Sequence, residues 1–203
     1  MSNILFVDFN GVRSYDDYWK SLAYENHPLH QYKLPIENLL FCEKKDLVKQ
    51  WMLGKLSSEQ IHQIISDELG VPYQELFAIF EKDCRNIDIS EKVLAKVEEL
   101  KSKYYCILST GNMDCFDRFT LPSNPQLTKI FDEIDNSHNL GILKSTNNGE
   151  YFMNKAKSLK VNIHNCVVID DSVKVCKVFE ELGGLAINAY GEEEVLASLN
   201  KLA

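Results

Sequence analysis

The sequence lacks the marks of several protein classes. No apolar run approaches the roughly 18 residues that a membrane-spanning helix needs. The chain does not open on a charged stretch followed by a long apolar one, so no secretory leader is expected. Its six cysteines, Cys42, Cys84, Cys106, Cys115, Cys166 and Cys176, form no Cys-x-x-Cys pair. Cys106 and Cys166 fall inside apolar, strand-like runs, where a free thiol behaves as a small hydrophobe. All six read as reduced thiols of a reducing, cytoplasmic compartment. Basic blocks are missing too. With 22 Lys and Arg against 30 Asp and Glu, the formal charge is −8. That argues against nucleic acid or an anionic membrane as the main partner. It leaves a small anion open, because a bound cation and one lysine can reverse the field locally. His27, His30, His62, His138 and His164 show no metal-ligand spacing, and His138 reads as part of a surface turn. There is no internal repeat and no low-complexity tract, and nothing specifies an oligomeric state.

What is present is an ordinary globular composition. The chain has 203 residues and is 45% hydrophobic, enough for one core or one core with an insert. Asn3 to Val7 holds a short run rich in β-branched and aromatic residues, closed by Asp8 and the turn signal Asn10-Gly11. It reads as a buried parallel strand with Asp8 at its carboxyl end, where open α/β sheets bind ligands. Three later stretches are read as strand ends too. Tyr104 to Ser109 leads into Thr110-Gly111-Asn112, Leu140-Gly141-Ile142-Leu143 leads into Lys144, and Cys166 to Ile169 leads into Asp170-Asp171-Ser172. Each residue also has a plain structural reading. Asp8 and Ser109 can cap the turns that follow them, Asp170-Asp171 can cap a helix before Ser172, and Lys144 can be a solvated surface charge.

Between the first two of these stretches the pattern is helical. Ser14 or Asp16 is expected to cap a helix through Tyr24, and Asn26 to Pro35 reads as a loop. Ile36 to Trp51 reads as one helix ended by Gly54. Ser57 with Gln60 forms a capping box for a helix that Gly70 stops. A further helix opens at Pro72. After Ser90 the chain alternates helices and strands, with a loop at Pro122 to Pro125, a short strand at Phe131 to Ser137, a last strand at Leu185 to Asn188 and a last helix at Glu192 to Leu202. This alternation predicts a parallel sheet covered on both faces.

A carboxylate, a hydroxyl, a lysine and a carboxylate pair, in this order, resemble the four motifs of the haloacid dehalogenase-like superfamily over nearly the whole chain. The resemblance implies an α/β fold, a Rossmann-like parallel sheet with helices on both faces, formed by residues 1–13 and 87–203. It also implies a small all-helical cap formed by residues 14–86. The function it implies is Mg²⁺-dependent hydrolysis of a small phosphorylated metabolite. Asp8 is then the nucleophile, and Ser109 and Thr110 bind phosphate with help from Lys144, which also pairs with the nucleophile. Asp8, the main-chain carbonyl of Asn10, Asp170 and Asp171 hold the metal.

Two departures from the family pattern stand out. Ser145 follows the lysine where Pro is common, and Asn10 stands where phosphatases carry the Asp that protonates the leaving alcohol and activates water. Asn cannot exchange a proton in this way. Four readings of Asn10 follow: a hydrolase restricted to good leaving groups, a deliberate replacement that traps a bound state, a non-catalytic binding protein on the same fold, or a metal-independent dehalogenase-type hydrolase.

Overall fold

The computed structural model describes residues 3–12, 14 and 18–203. Strand β1, Asn3–Val7, begins the chain. Eleven described helices follow or intervene: α1 Lys33–Glu37, α2 Lys45–Met52, α3 Ser58–Leu69, α4 Tyr73–Arg85 and α5 Glu91–Leu100 precede β2, Tyr104–Thr110. Then come α6 Leu121–Ser123, α7 Gln126–Ile130, β3 Glu133–Asn136, α8 Ser137–Leu140, α9 Glu150–Ser158, β4 Cys166–Asp170, α10 Val173–Glu181, β5 Leu185–Asn188 and α11 Glu192–Leu202. The five strands form one parallel sheet in the order β3-β2-β1-β4-β5. This is a Rossmann-like α/β arrangement.

The sheet is apolar on both faces, which explains why its strands read as unbroken hydrophobic runs. Leu5, Val7, Cys106, Leu108, Val167 and Ile169 pack one way, against Val93, Val97, Leu127, Val195 and Leu199 of α5, α7 and α11. Ile4, Phe6, Ile107, Cys166 and Val168 pack the other way, against Phe152 and Phe179 of α9 and α10. The chain runs outward from β1 to β2 and β3, then returns to the other side of β1 for β4 and β5. Asp8, just past β1, therefore sits where the strand order reverses.

Between β1 and β2 the described residues form helices and turns and build a separate apolar cluster. Trp19, Trp51, Ile61, Ile65, Leu76 and Phe80 lie in it, joined by Met113, Cys115 and Phe119 from beyond β2. His62 is fully buried here. Its Nδ1 donates to Ser58 O at 2.7 Å and its Nε2 accepts from Trp19 Nε1 at 3.1 Å. Both ring nitrogens are thus satisfied by a neutral imidazole.

Several sequence expectations need correction. Ile36 to Trp51 is not one helix. A π-helical turn, Asn38–Glu43, intervenes, with Lys44 N–H reaching back five residues to Leu39 O, and Lys44 leaves the helical region at φ −116°, ψ 45°. The apolar spacing survives because the wide turn shifts the phase rather than erasing it. Asn26 to Pro35 is not wholly a loop: a tight 3-10 turn spans His30–Tyr32, and α1 starts at Lys33 with Pro35 in its first turn, where the missing N–H costs nothing. The expected helix to Tyr24 is a 3-10 turn over Lys20–Ala23. Its alternative cap Asp16 lies outside the described residues, and Ser14 Oγ has no hydrogen-bond partner among the described residues. Part of the expected loop at Pro122 is the short α6. Leu140 to Lys144 is not a strand end. Helix α8 stops at Gly141 in the left-handed region, and Lys144 stands in the turn beyond it. By contrast, the capping box of Ser57 and Gln60 and the Gly70 stop form as expected. Among the described residues no helix is long and apolar enough to cross a membrane.

Burial pushes the His62 imidazole down to about 4, against the Ser58 carbonyl and the Asp114 charge, which favour the proton. An unfolded histidine takes up its proton near 6.5, so the folded state is penalised as pH falls from 6.5 towards 4. The full penalty is about 3 kcal/mol at the bottom of that window. We expect the urea midpoint to change less favourably between pH 7 and pH 4.5 than it does in His62→Gln, which lacks this penalty. Equal slopes for the two proteins would show that His62 does not carry the effect.

Candidate active site

The carboxyl ends of β1, β2 and β4 surround a cavity of about 300 Å³. Asp8, Asn10, Thr110, Gly111, Lys144, Asp170 and Asp171 line it, with Met52, Leu143 and Val175 at its apolar side. At the centre, Lys144 Nζ lies 2.8 Å from Asp8 Oδ1 and 2.5 Å from Asp170 Oδ2, and donates to Ser109 O at 3.0 Å. All three charged side chains are buried.

Each is set by its local backbone. Asp8 N–H donates to Ile169 O at 3.0 Å, which continues the β1–β4 ladder one residue beyond the strand, and Asp8 Oδ1 also accepts from Phe9 N–H at 2.7 Å. Asp170 ends β4 and serves two ends. Its Oδ1 accepts the Ser172 N–H at 2.9 Å, opening the turn in which Ser172 caps α10, and its Oδ2 meets Lys144. One carboxylate thus both fixes the turn before α10 and pairs with the buried ammonium. Asn188 Nδ2 donates to the carbonyls of both Asp170 and Asp171 and fixes that turn from β5. Gly11 has φ +72°, and a Cβ there would stand 2.5 Å from Asp171 Oδ2, so the glycine lets the Asp171 carboxylate close on the β1 loop.

Burial dominates the electrostatics. It pushes the Asp8 carboxyl up to about 7, against the pull of Lys144, while the Asp170 charge adds to the rise. Burial alone would lower the Lys144 ammonium, but the charges of Asp8 and Asp170 outweigh it and hold it above the usual lysine range. Burial and the Asp170 charge also raise Asp171. One oxygen from each of Asp8, Asp170 and Asp171 lies within 4.8 Å of the others. Among the described residues three carboxylates face one ammonium, an uneven balance that a divalent oxygen-liganded cation fits.

The hydroxyl position is more complex than the sequence implies. The Ser109 side chain does not line the cavity; its carbonyl holds Lys144 instead. Thr110 does line it, and Thr110 Oγ1 is buried with no hydrogen-bond partner among the described residues. Buried hydroxyls are normally paired, so an orphan at a cavity wall marks a place for a ligand atom. Asn112 is drawn into the site by donating from Nδ2 to Asn10 Oδ1 at 3.0 Å. Met52 reaches the cavity mouth from the end of α2. There Ser137 Oγ donates to Met52 O at 2.8 Å and His138 Nδ1 donates to Trp51 O at 3.1 Å. His138 is therefore a tether for a helix end rather than a surface-turn residue. No pattern in the sequence announces Met52, Leu143 or Val175 as lining residues, because each reads as an ordinary apolar position.

No family model matches the chain. Solved structures do. A HAD family enzyme from Bacteroides thetaiotaomicron, in complex with magnesium and inorganic phosphate, aligns over 95% of this chain and 96% of its own at 19% identity, with a TM-score of 0.69. A predicted HAD-like family hydrolase from Porphyromonas gingivalis aligns over 100% and 98% at 18% identity, with a TM-score of 0.73. An L-2-haloacid dehalogenase aligns over the whole of both chains at 14% identity and a TM-score of 0.69. The chain has the haloacid dehalogenase-like fold. In this HAD-like fold Asp8 follows the central strand, and Lys144 and Asp170 are brought to it from 136 and 162 residues further along the chain (144 − 8 and 170 − 8).

Lys144 neutralises two buried carboxylates at once, and removing one partner of a buried pair typically costs about 3–5 kcal/mol. We expect Lys144→Met to lose about 3 kcal/mol in urea unfolding at pH 7.5. The additional change Asp170→Asn should recover part of it, since it removes one stranded charge. A loss below about 0.5 kcal/mol, the scale of an exposed pair, would mean that water reaches the cluster freely.

Proposed function

We propose that this HAD-like chain is a Mg²⁺-dependent hydrolase of small phosphate esters that works through an aspartyl-phosphate on Asp8, with Asn10 limiting it to leaving groups that need little protonation. The observation that carries this reading is the combination in one cavity of a carboxylate paired with a buried lysine, two further carboxylates, and an orphaned buried hydroxyl at Thr110.

Asp8, Asp170 and Asp171 are the side chains that would hold the metal, with the Asn10 main-chain carbonyl. When bound, the cation supplies charge neutralisation for a phosphoryl group beside three carboxylates. The Bacteroides neighbour's complex with magnesium and inorganic phosphate supports the choice of ion and of ligand class. In the chemical step an Asp8 oxygen forms a bond to phosphorus while the bond from phosphorus to the ester oxygen breaks. Lys144 stabilises the anionic oxygens through that step, and Thr110 Oγ1 donates to one of them. Water then attacks the phosphoryl group, which releases inorganic phosphate and frees the Asp8 carboxylate. The leaving oxygen needs a proton that Asn10 cannot supply, so an alkoxide leaves slowly and a phenolate readily. Residues 14–86 act in this reading as a helical cap, with Met52 closing the cavity mouth.

Asn10 also fits a binding protein that captures a phosphometabolite without turning it over. A metal-independent displacement on carbon fits less well, because it has no use for both Asp170 and Asp171 beside Lys144.

Two measurements test the proposal. Millimolar Mg²⁺ should raise the melting temperature above its value in EDTA, with a stabilisation of about 2.7 kcal/mol at a hundredfold excess over Kd. Asp171→Asn should shrink that shift, and equal melting temperatures in Mg²⁺ and EDTA would remove the metal from the reading. A leaving-group series of phosphate esters on this chain and on Asn10→Asp should show a gain on the order of 10² or more for alkyl phosphates. The gain should be small for nitrophenyl phosphate. Asn10-Gly11 is a sequence prone to deamidation, so mass spectrometry must show intact Asn10. No turnover of any ester by either protein would leave the binding reading in its place.

A further inference from the structure

Asn10 does not stand free in the cavity. Its Oδ1 accepts from Asn112 Nδ2 at 3.0 Å. The direction of that bond is set from the far side of Asn112. There Asn112 Oδ1 accepts the main-chain N–H of Met113 at 2.9 Å and the hydroxyl of Tyr18. A main-chain N–H can only donate, so the amide atom it meets is the oxygen and the atom turned to Asn10 is the nitrogen. The Asn10 atom facing it must then be the oxygen. That leaves Asn10 Nδ2 with no acceptor among the described residues, on a side chain that lines the cavity.

Asn112 is held too tightly to reverse. It is buried, and its own N–H donates to Asn136 Oδ1 at 3.2 Å. Tyr18 packs its ring between Trp19 and Phe80 of the helical segment, at centroid distances of 6.2 and 6.1 Å. Burial holds its phenol well above the usual phenol range, so the hydroxyl stays a donor.

We propose that Tyr18 and Asn112 are positioning residues that lock Asn10 with its amide nitrogen towards the ligand, so that Asn10 donates a hydrogen bond to an ester oxygen of a phosphoryl group held at Asp8. This rests on the phosphate-ester reading. No proton passes along the relay; what passes is hydrogen-bond polarity, from a tyrosine in the helical segment to the residue beside the nucleophile. The same relay accepts Asp at position 10, because a carboxylate also accepts from Asn112 Nδ2. An ester oxygen carries only acceptor lone pairs, which an amide N–H can meet.

Two substitutions separate positioning from packing. Tyr18→Phe keeps the ring and removes the donor. Asn112→Asp keeps the shape and presents an acceptor to Asn10, which must turn its nitrogen away from the cavity to meet it. With Mg²⁺ and phenyl phosphate, whose leaving oxygen depends more on a donor than nitrophenolate does, kcat should fall up to about tenfold in Tyr18→Phe, the size of one hydrogen bond, and further in Asn112→Asp, with KM little changed. Both losses should vanish in an Asn10→Ala background, which has no amide to orient. Losses of equal size in both backgrounds would overturn the proposal, since they would report packing alone. A second measurement does not need turnover. The side-chain amide signals of Asn10 and Asn112 in ¹⁵N spectra, assigned with Asn10→Ala and Asn112→Asp, should move in Tyr18→Phe. If they stay in place, the relay does not exist, whatever the activity. If they move while no ester is turned over, the relay stands and the phosphate-ester reading is the part that fails.

Discussion

The bond from Lys144 to Asp8 and Asp170 is the constraint on which the rest depends. The residues come from three distant parts of the chain, and their head groups meet within 2.8 Å at the carboxyl ends of parallel strands. Two carboxylates this deeply buried would repel each other without a cation between them. The sheet can therefore close around them only if the turn after α8 carries Lys144 inward. That requirement explains why Ser109 gives its carbonyl, rather than its hydroxyl, to the site. A buried ammonium has three protons to place, and two carboxylates and one strand-end carbonyl take them.

The helical segment is fastened to this centre by polar contacts that exclude alternatives. Asp114, just past β2, accepts from Trp51 Nε1 at 2.6 Å, from Ser58 N–H and Oγ at 3.1 and 2.7 Å, and from Arg118 at 2.7 Å. One carboxylate thereby joins the end of α2, the start of α3 and the segment after β2. On the cavity side, Ser137 and His138 take the last carbonyls of α2, and Gly54 lets the following loop press against His138 O, where a Cβ would come within 2.5 Å. Met52 is held at the mouth by these fixings rather than by apolar packing alone. The segment is thus positioned by directional bonds, which carry more geometric information than a hydrophobic interface of the same size.

Much of this was legible in the sequence, and the limits have physical causes. Strand-end carboxylates are readable because a buried parallel strand is a dense apolar run, and a charge at its end is conspicuous: Asp8 and Asp170 stand out for that reason. Caps are readable because their chemistry is local, as Ser57 with Gln60 and Gly70 show. Lys144 is expected at a strand end, yet it stands in the turn beyond α8. A lysine after a glycine turn has no local signature of burial, and only the distant Asp8 and Asp170 draw it in. The π-helical turn at Asn38–Glu43 was invisible because periodicity over sixteen positions tolerates one inserted residue (51 − 36 + 1). Ser109 and Thr110 are both expected at the ligand, yet of the two only Thr110 lines the cavity, because a strand alternates its side chains and the phase at its last two positions depends on how far the ladder continues. Asn112 and Tyr18 could not be paired from sequence at all, being 94 residues apart and joined by a single contact.

The cost of the charge cluster bears on what the cavity is for. Buried ion pairs seldom stabilise a fold as much as apolar residues of the same volume would. Asp8, Lys144 and Asp170 are therefore a stability loss in the ligand-free protein, and Asp171 adds a further carboxylate with a raised pKa. A ligand recognised mainly by shape would gain nothing from them. On the proposed reading a cation and a phosphoryl group would use every member, because the cation would answer the carboxylates and the ammonium the phosphoryl oxygens. Asn10 fits the same arithmetic. A fourth carboxylate here would deepen the imbalance of three against one among the described residues, whereas an amide contributes a donor without charge. The neutral residue thus adds a donor to the pocket without adding charge.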